Sequence, residues 1–241
     1  MKNYNCAVTG SQGLLGSAIA RRFKSYYTYP RKDLDYLFLF GSPSSNIIFD
    51  QNIDWSFEET INSFLTAIQF CRDNKIKLIY PSSATVYQKN TTYARCKAVL
   101  EEIQLAYDTD VLGCRIFAGY GYEKSKGEYS SVIWQFCEAM KQGKRPTIFG
   151  DGTQTRDFIF VEDIVDNILI NKDKKGLIDI GTGVNTSFNE VVSIINKVLG
   201  TKLKPIYVDK PLKYVENTIC NNPIKKYTPL VEGIKKVLDT V

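Results

Sequence analysis

Apolar residues along this chain follow two rhythms. Short unbroken runs alternate with longer stretches in which apolar positions recur every three or four residues. Residues 4–9 form the first run, end in Thr9-Gly10 and read as a buried strand. Residues 13–23 follow as a helix, with Leu14, Leu15, Ala18, Ile19 and Phe23 on one face. A second strand is predicted over 26–29, stopped by Pro30, and another over 35–40, closed by the loop Gly41-Ser42-Pro43-Ser44. Helix over 55–74, strand over 77–81, helix over 93–107 and strand over 111–117 continue the alternation. Unbroken apolar strands separated by helices predict a parallel sheet covered on both faces.

Beyond residue 121 the rhythm changes. A helix over 132–141 precedes the run Thr147-Ile148-Phe149 and the turn Gly150-Asp151-Gly152. Then come a strand over 157–161, a helix to 170, a strand over 177–180 and a helix over 188–199. The expected organisation is a sheet domain over 1–121 and a smaller lobe over 122–241, with 157–183 returning to the main sheet. No internal repeat or low-complexity linker interrupts it.

Composition narrows the function classes. The 241 residues are 44% hydrophobic and 24% charged, which suits a self-sufficient core. The net charge of +5 comes from 31 basic and 26 acidic residues without a like-charged run, so no nucleic-acid partner is expected. A polyanionic small ligand would be served by the same balance. No basic segment followed by an apolar stretch opens the chain, and no apolar run spans a bilayer, so a cytoplasmic protein without membrane contact is expected. The six cysteines are widely spaced with no CxxC pair, which suits small buried hydrophobes and predicts no metal site. The chain has no histidine, which removes histidine triads and HExxH zinc chemistry.

Three strings carry candidate chemistry. Thr9-Gly10-Ser11-Gln12-Gly13-Leu14-Leu15-Gly16 follows a strand and opens a helix, the context a dinucleotide fingerprint needs. Glycines there allow a tight turn and close approach, although a plain connecting turn has the same composition. Ser82-Ser83-Ala84-Thr85-Val86-Tyr87 precedes Tyr93-Ala94-Arg95-Cys96-Lys97, whose tyrosine and lysine stand at i and i+4 on one helix face. A lysine cation beside a phenol is expected to lower its pKa and let it exchange a proton with a hydroxyl or carbonyl. Ser83 can hydrogen-bond the same oxygen. The third string runs from Gly150-Asp151-Gly152 through Arg156-Asp157-Phe158 to Val161-Glu162-Asp163, where an arginine beyond a glycine turn can bind phosphate.

Together these strings resemble the extended short-chain dehydrogenase/reductases, the NAD-dependent epimerase/dehydratase family that modifies nucleotide sugars. The family pattern is TGxxGxxG, SSxxVY, YxxxK and GDGxxxRDFxxVxD, and Ile178-Asp179-Ile180-Gly181-Thr182-Gly183 is similar to a further stretch of it. The resemblance implies an α/β fold: a Rossmann-like doubly wound parallel sheet, here trimmed, with a small C-terminal substrate-binding lobe. It implies Ser83, Tyr93 and Lys97 as the catalytic set. Gly10, Gly13, Leu14, Leu15 and Gly16 would hold the cofactor pyrophosphate, with Tyr93 and Lys97 also against the cofactor. Thr85, Ala118, Phe149 and Arg156 would meet the nucleotide-diphosphate sugar, Arg156 at its diphosphate. The reaction implied is oxidoreduction at C4, as an epimerase or a 4-ketoreductase.

The chain departs from the pattern in places. Members usually exceed 300 residues, so this one reads as pared down, and 23–35 is too short for the usual strand, helix and strand. Arg31 and Lys32 stand where relatives choose between cofactors, which favours NADP over NAD because a basic pair suits the added phosphate. Five residues separate Tyr87 from Tyr93, where relatives carry a longer loop, and Ala118 replaces an asparagine of the family. Ala84-Thr85 lacks the acidic residues of dehydratases and decarboxylases. Two alternatives stay open: a reductase of a substrate without a nucleotide, and a non-catalytic NAD(P)-binding or regulatory protein on the trimmed scaffold. A homodimer through helices 55–74 and 93–107, with Phe64, Leu65, Ile68 and Phe70, is also implied.

Overall fold

The computed structural model describes residues 4–107, 109–211 and 214–241. In chain order the first elements are β1 (Cys6–Thr9), α1 (Leu14–Ala20), β2 (Tyr36–Leu39), α2 (Asn46–Gln51), α3 (Ile53–Asn74), β3 (Lys77–Ser83), α4 (Thr92–Ala106) and β4 (Val111–Ile116). Then follow β5 (Ala118–Tyr120), α5 (Val132–Lys141), β6 (Thr147–Phe149), β7 (Thr155–Phe160), α6 (Val161–Asn171) and β8 (Gly176–Ile180). The last are β9 (Asn185–Ser187), α7 (Phe188–Leu199), β10 (Ile206–Val208) and α8 (Leu230–Leu238). The chain divides into two compact units, residues 1–116 with 165–179 and residues 117–164 with 180–241.

The first unit carries an α/β fold on a five-stranded sheet of order β1-β2-β3-β4-β8. The pairs β1–β2, β2–β3 and β3–β4 are parallel. Its strands are apolar without alternation because both faces are covered; Ala7, Val8, Leu37, Phe38, Leu78 and Ile79 are fully buried. Phe64 and Ile68 of α3 pack into this core, with the Phe64 and Tyr80 rings 4.6 Å apart. Burying such side chains contributes roughly 1.5–3 kcal/mol each.

The strand expected over 26–29 is reduced to a single parallel bridge between Ala7 and Tyr27. Val8 N–H donates to Tyr27 O at 2.8 Å and Tyr27 N–H to Cys6 O at 2.9 Å. Pro30 has no N–H and ends the pairing. The bridge still decides the topology. Tyr27 lies on one side of β1 and β2 on the other, so the strand order reverses at β1, where the glycine-rich turn emerges. Open α/β sheets offer a ligand crevice outside the carboxyl ends at such a reversal. Helix α2, unanticipated from periodicity because it is short, starts at Ser45, whose side chain accepts from Ile48 N–H.

The second unit holds a three-stranded sheet, β5-β7-β9, and a parallel pair, β6 with β10. β7 runs parallel to β5 and antiparallel to β9. Within the stretch 157–183, β8 joins the five-stranded sheet and β7 the three-stranded one. Helices α5, α7 and α8 pack on one another. Ser187 and Glu190 close a capping box at the start of α7. Among the described residues, no helix is long and apolar enough to cross a membrane.

Candidate active site

The turn after β1 is built by close backbone approach. Gly10 has φ +64°, and a Cβ there would stand 2.6 Å from Gly41 Cα. A Cβ at Gly16 would stand 2.0 Å from Gly10 O, so α1 reaches the turn only because that position is glycine. Gly13 differs: its Cβ would meet only Gly10 O, at 3.4 Å, which leaves its outer side open. The N–H groups of Leu14, Leu15 and Gly16 lie in the first turn of α1, where a helix has no acceptor of its own to offer them. Thr9 Oγ1 accepts from Phe40 N–H at 3.0 Å and Gly41 N–H at 3.1 Å, clamping this turn to the loop after β2.

The same loop reaches the tyrosine–lysine pair. Thr91 caps α4 by accepting from Ala94 N–H at 3.2 Å, which sets Tyr93 and Lys97 on one face of the helix. Lys97 is buried, and its Nζ donates to Ser42 Oγ at 3.3 Å and lies 5.7 Å from the Tyr93 ring centroid. The Tyr93 ring packs edge-on against Phe49 at 5.4 Å. Ser83, at the end of β3, has its hydroxyl 2.9 Å from Thr85 Oγ1 and accepts from Thr85 N–H at 3.3 Å. Thr85 belongs to the 3-10 turn Ala84–Tyr87. In the sequence Ser42 reads only as part of the loop Gly41-Ser42-Pro43-Ser44. The available signal was its place just past a buried strand, at the same sheet edge as the glycine turn.

The protonation balance differs from the expected one. Tyr93 is not depressed by Lys97: burial pushes its pKa up to about 12, the Ser83 hydroxyl pulling the other way. Lys97 is itself drawn down to about 8 by burial. The ammonium lies over the ring, and desolvation is the largest cause of both shifts.

Behind β3 lies a charged network. Glu101 of α4, 6% exposed, accepts from Arg115 Nε at 2.9 Å and Nη2 at 2.7 Å, and from the Ser82 hydroxyl. Arg115 Nη1 donates to Tyr87 Oη at 2.9 Å.

In the second unit, Arg156 of β7 lies between aromatic rings, its guanidinium carbon 5.4 Å from the Phe188 centroid and 5.5 Å from that of Tyr214. Its Nη1 donates to Thr155 O at 2.8 Å and Glu216 O at 3.3 Å, and burial lowers its pKa. The neighbouring Asp157 is fully buried. It accepts from Thr182 N–H at 2.8 Å, Thr182 Oγ1 at 2.6 Å, Gly183 N–H at 2.8 Å and Cys220 N–H at 3.0 Å. Asp163 accepts from Thr228 N–H at 2.8 Å. Both motif aspartates are thus structural clamps that a local sequence window cannot reveal. Phe149 is exposed, with its carbonyl accepting from Gln154 Nε2 at 2.6 Å; Ala118 pairs with Phe158 in the three-stranded sheet.

A family model for the NAD dependent epimerase/dehydratase family matches residues 28–181. The chain belongs to that family. The match begins after the glycine-rich turn, so the turn's role rests on its own geometry. A UDP-N-acetyl-alpha-D-glucosaminuronate decarboxylase of Bacillus cytotoxicus is 30% identical over 181 residues, 65% of this chain and 55% of the relative. This member of the epimerase/dehydratase family therefore spans about half the length of that relative. A solved UDP-N-acetylglucosamine 4-epimerase of Methanobrevibacter ruminantium, in complex with UDP-N-acetylmuramic acid, superposes with TM-score 0.87 at 22% identity, covering 100% of this chain and 98% of that one. A UDP-glucose 4-epimerase of Thermus thermophilus, in complex with NAD, superposes with TM-score 0.83 at 18% identity over 98% of each chain. At these identities the likeness establishes the fold.

The basic pair of this epimerase/dehydratase chain follows the Tyr27 bridge. Arg31 binds the Asp33 carboxylate through Nε at 2.9 Å and Nη2 at 3.1 Å, and its guanidinium lies 4.3 Å from the Tyr27 centroid. Asp33 also accepts from the Asn5 side chain, just before β1, so the pair is tied toward the amino end of that strand. Lys32 is exposed. All six cysteines are buried free thiols.

Proposed function

We propose that this chain is an NAD-dependent enzyme acting at C4 of a nucleoside-diphosphate sugar, as a 4-epimerase ahead of a 4-ketoreductase. The observation that carries the reading is the convergence of Ser83, Tyr93 and a buried Lys97 with the glycine turn at one edge of the sheet, joined through Gly41 and Ser42. The open side of Gly13 fits a pyrophosphate, with Gly10, Leu14, Leu15 and Gly16 supplying backbone around it. When bound, NAD supplies a hydride acceptor and donor. Tyr93 moves the proton in both directions: as the phenolate it takes the proton of the C4 hydroxyl as the C4 hydride leaves, and it returns that proton to the carbonyl oxygen so formed as the hydride comes back, with Ser83 hydrogen-bonded to the same oxygen. Lys97, still a cation near pH 7, favours the phenolate and is available to the nicotinamide ribose.

NAD takes precedence over NADP here because Arg31 is committed to Asp33, whose carboxylate would repel an added phosphate. We assign Arg156 to the ligand's diphosphate and Thr85 and Phe149 to the same ligand; Ala118 can offer no side-chain hydrogen bond. A homodimer through α3 and α4 draws support from exposed Ile53, Trp55, Val99 and Leu105, whereas Phe64 and Ile68 are spent in the protein's own core.

The test is thermal unfolding with NAD, NADP, UDP, ADP, GDP and dTDP. A ligand at about one hundred times its Kd adds roughly 2.7 kcal/mol. Stabilisation by NAD together with one nucleotide is expected. No response to any cofactor or nucleotide would leave the non-catalytic scaffold as the better account.

A further inference from the structure

A surface tyrosine ordinarily turns its hydroxyl to water and its ring inward. Tyr87 instead has its hydroxyl bound by protein side chains while the residue stays exposed. The residue is 58% exposed, yet its hydroxyl is held: it faces both Asp179 carboxylate oxygens at 2.8 Å and accepts from Arg115 Nη1 at 2.9 Å. The Arg115 guanidinium carbon lies 4.9 Å from the ring centroid, toward its hydroxyl end. Arg115 is held in turn by both oxygens of buried Glu101. The ring is thus clamped by its polar end, and the residue remains largely presented to solvent. The chain after it does not cover it. Gln88 and Lys89 N–H both fold back on Thr85 O at 3.0 Å, and Arg95 Nε holds Lys89 O at 3.1 Å. Tyr87 closes the same 3-10 turn that holds Thr85 against Ser83.

We propose that Tyr87 is a specificity-determining platform on which the sugar ring of the nucleotide sugar stacks. The C–H bonds of a pyranose face are the chemistry that suits an exposed, immobilised aromatic ring. Clamping the ring before the ligand arrives lowers the ordering cost of the contact. This rests on the nucleotide-sugar reading above.

The experiment is calorimetric titration of the NAD-loaded protein with UDP, UDP-glucose, ADP and ADP-glucose, on wild type, Tyr87→Leu and Tyr87→Phe. In wild type, the better glucose conjugate should bind more tightly than its bare diphosphate. Tyr87→Leu should weaken that conjugate roughly fivefold or more and leave the bare diphosphate unchanged. Tyr87→Phe keeps the ring, so it should retain most of the preference while melting at lower temperature, since Asp179 and Arg115 lose their partner. Equal weakening of conjugate and diphosphate, or no change in Tyr87→Leu, overturns the platform. So does a wild type that binds a diphosphate but gains nothing from the sugar. A wild type that binds none of the four overturns the platform, and the parent reading falls with it when GDP and dTDP also fail to stabilise the protein. If Tyr87→Leu does not fold, Tyr87→Met serves the same comparison.

Discussion

Lys97 Nζ donates to Ser42 Oγ across 3.3 Å, tying the first turns of α4 to the loop that follows β2. The lysine is 2% exposed, so an acceptor removed there is not replaced by bulk water. Ser42→Ala should therefore cost about 1–3 kcal/mol in urea unfolding, and Ser42→Thr should restore most of it. An unchanged midpoint in Ser42→Ala would mean the contact holds nothing in place.

Stability should rise with pH through a window set by the same lysine. Burial draws Lys97 from 10.5 to about 8 in the folded chain. Between those values the unfolded chain holds a proton that the folded chain has lost, so ΔG of unfolding increases with pH. The signature is the difference between wild type and Lys97→Met: it should climb from about pH 8 to 10.5 and level off on either side. A flat difference would show Lys97 to be solvated.

The glycine turn yields a paired prediction. Gly16→Ala drives a Cβ to 2.0 Å from backbone and should destabilise the fold by about 3 kcal/mol. Gly13→Ala meets only a 3.4 Å contact, so its melting temperature should stay near wild type while NAD affinity falls. Melting curves with and without NAD separate the two. Equal NAD response in wild type and Gly13→Ala would remove Gly13 from the cofactor site.

Asp157→Ala should be among the most damaging substitutions in the second unit. It would leave four donors from Thr182, Gly183 and Cys220 without their acceptor in a fully buried place. A loss of about 3–5 kcal/mol is expected, with Asp157→Asn milder because one carbonyl oxygen remains. Urea unfolding followed by tryptophan fluorescence checks both.

Much is legible in the sequence alone, for local reasons. Helices α5 and α7 begin and end where the apolar periodicity places them, because an amphipathic face and a capping serine are written within a few residues. Strands β2, β3 and β4 were visible as unbroken apolar runs, and the i, i+4 spacing of Tyr93 and Lys97 needs only a helix. The short elements β9 and β10, at three residues each, carry no period to detect. What tertiary structure decided is everything that depends on partners far away in sequence. Tyr27 became a lone bridge beside β1, and Ser42 met Lys97 across 55 positions. Asp157 became a clamp for backbone up to 63 residues distant. The direction of the Tyr93 and Lys97 shifts belongs with these. A sequence shows which charges stand near one another along a helix, but desolvation is set by what the rest of the chain packs around them.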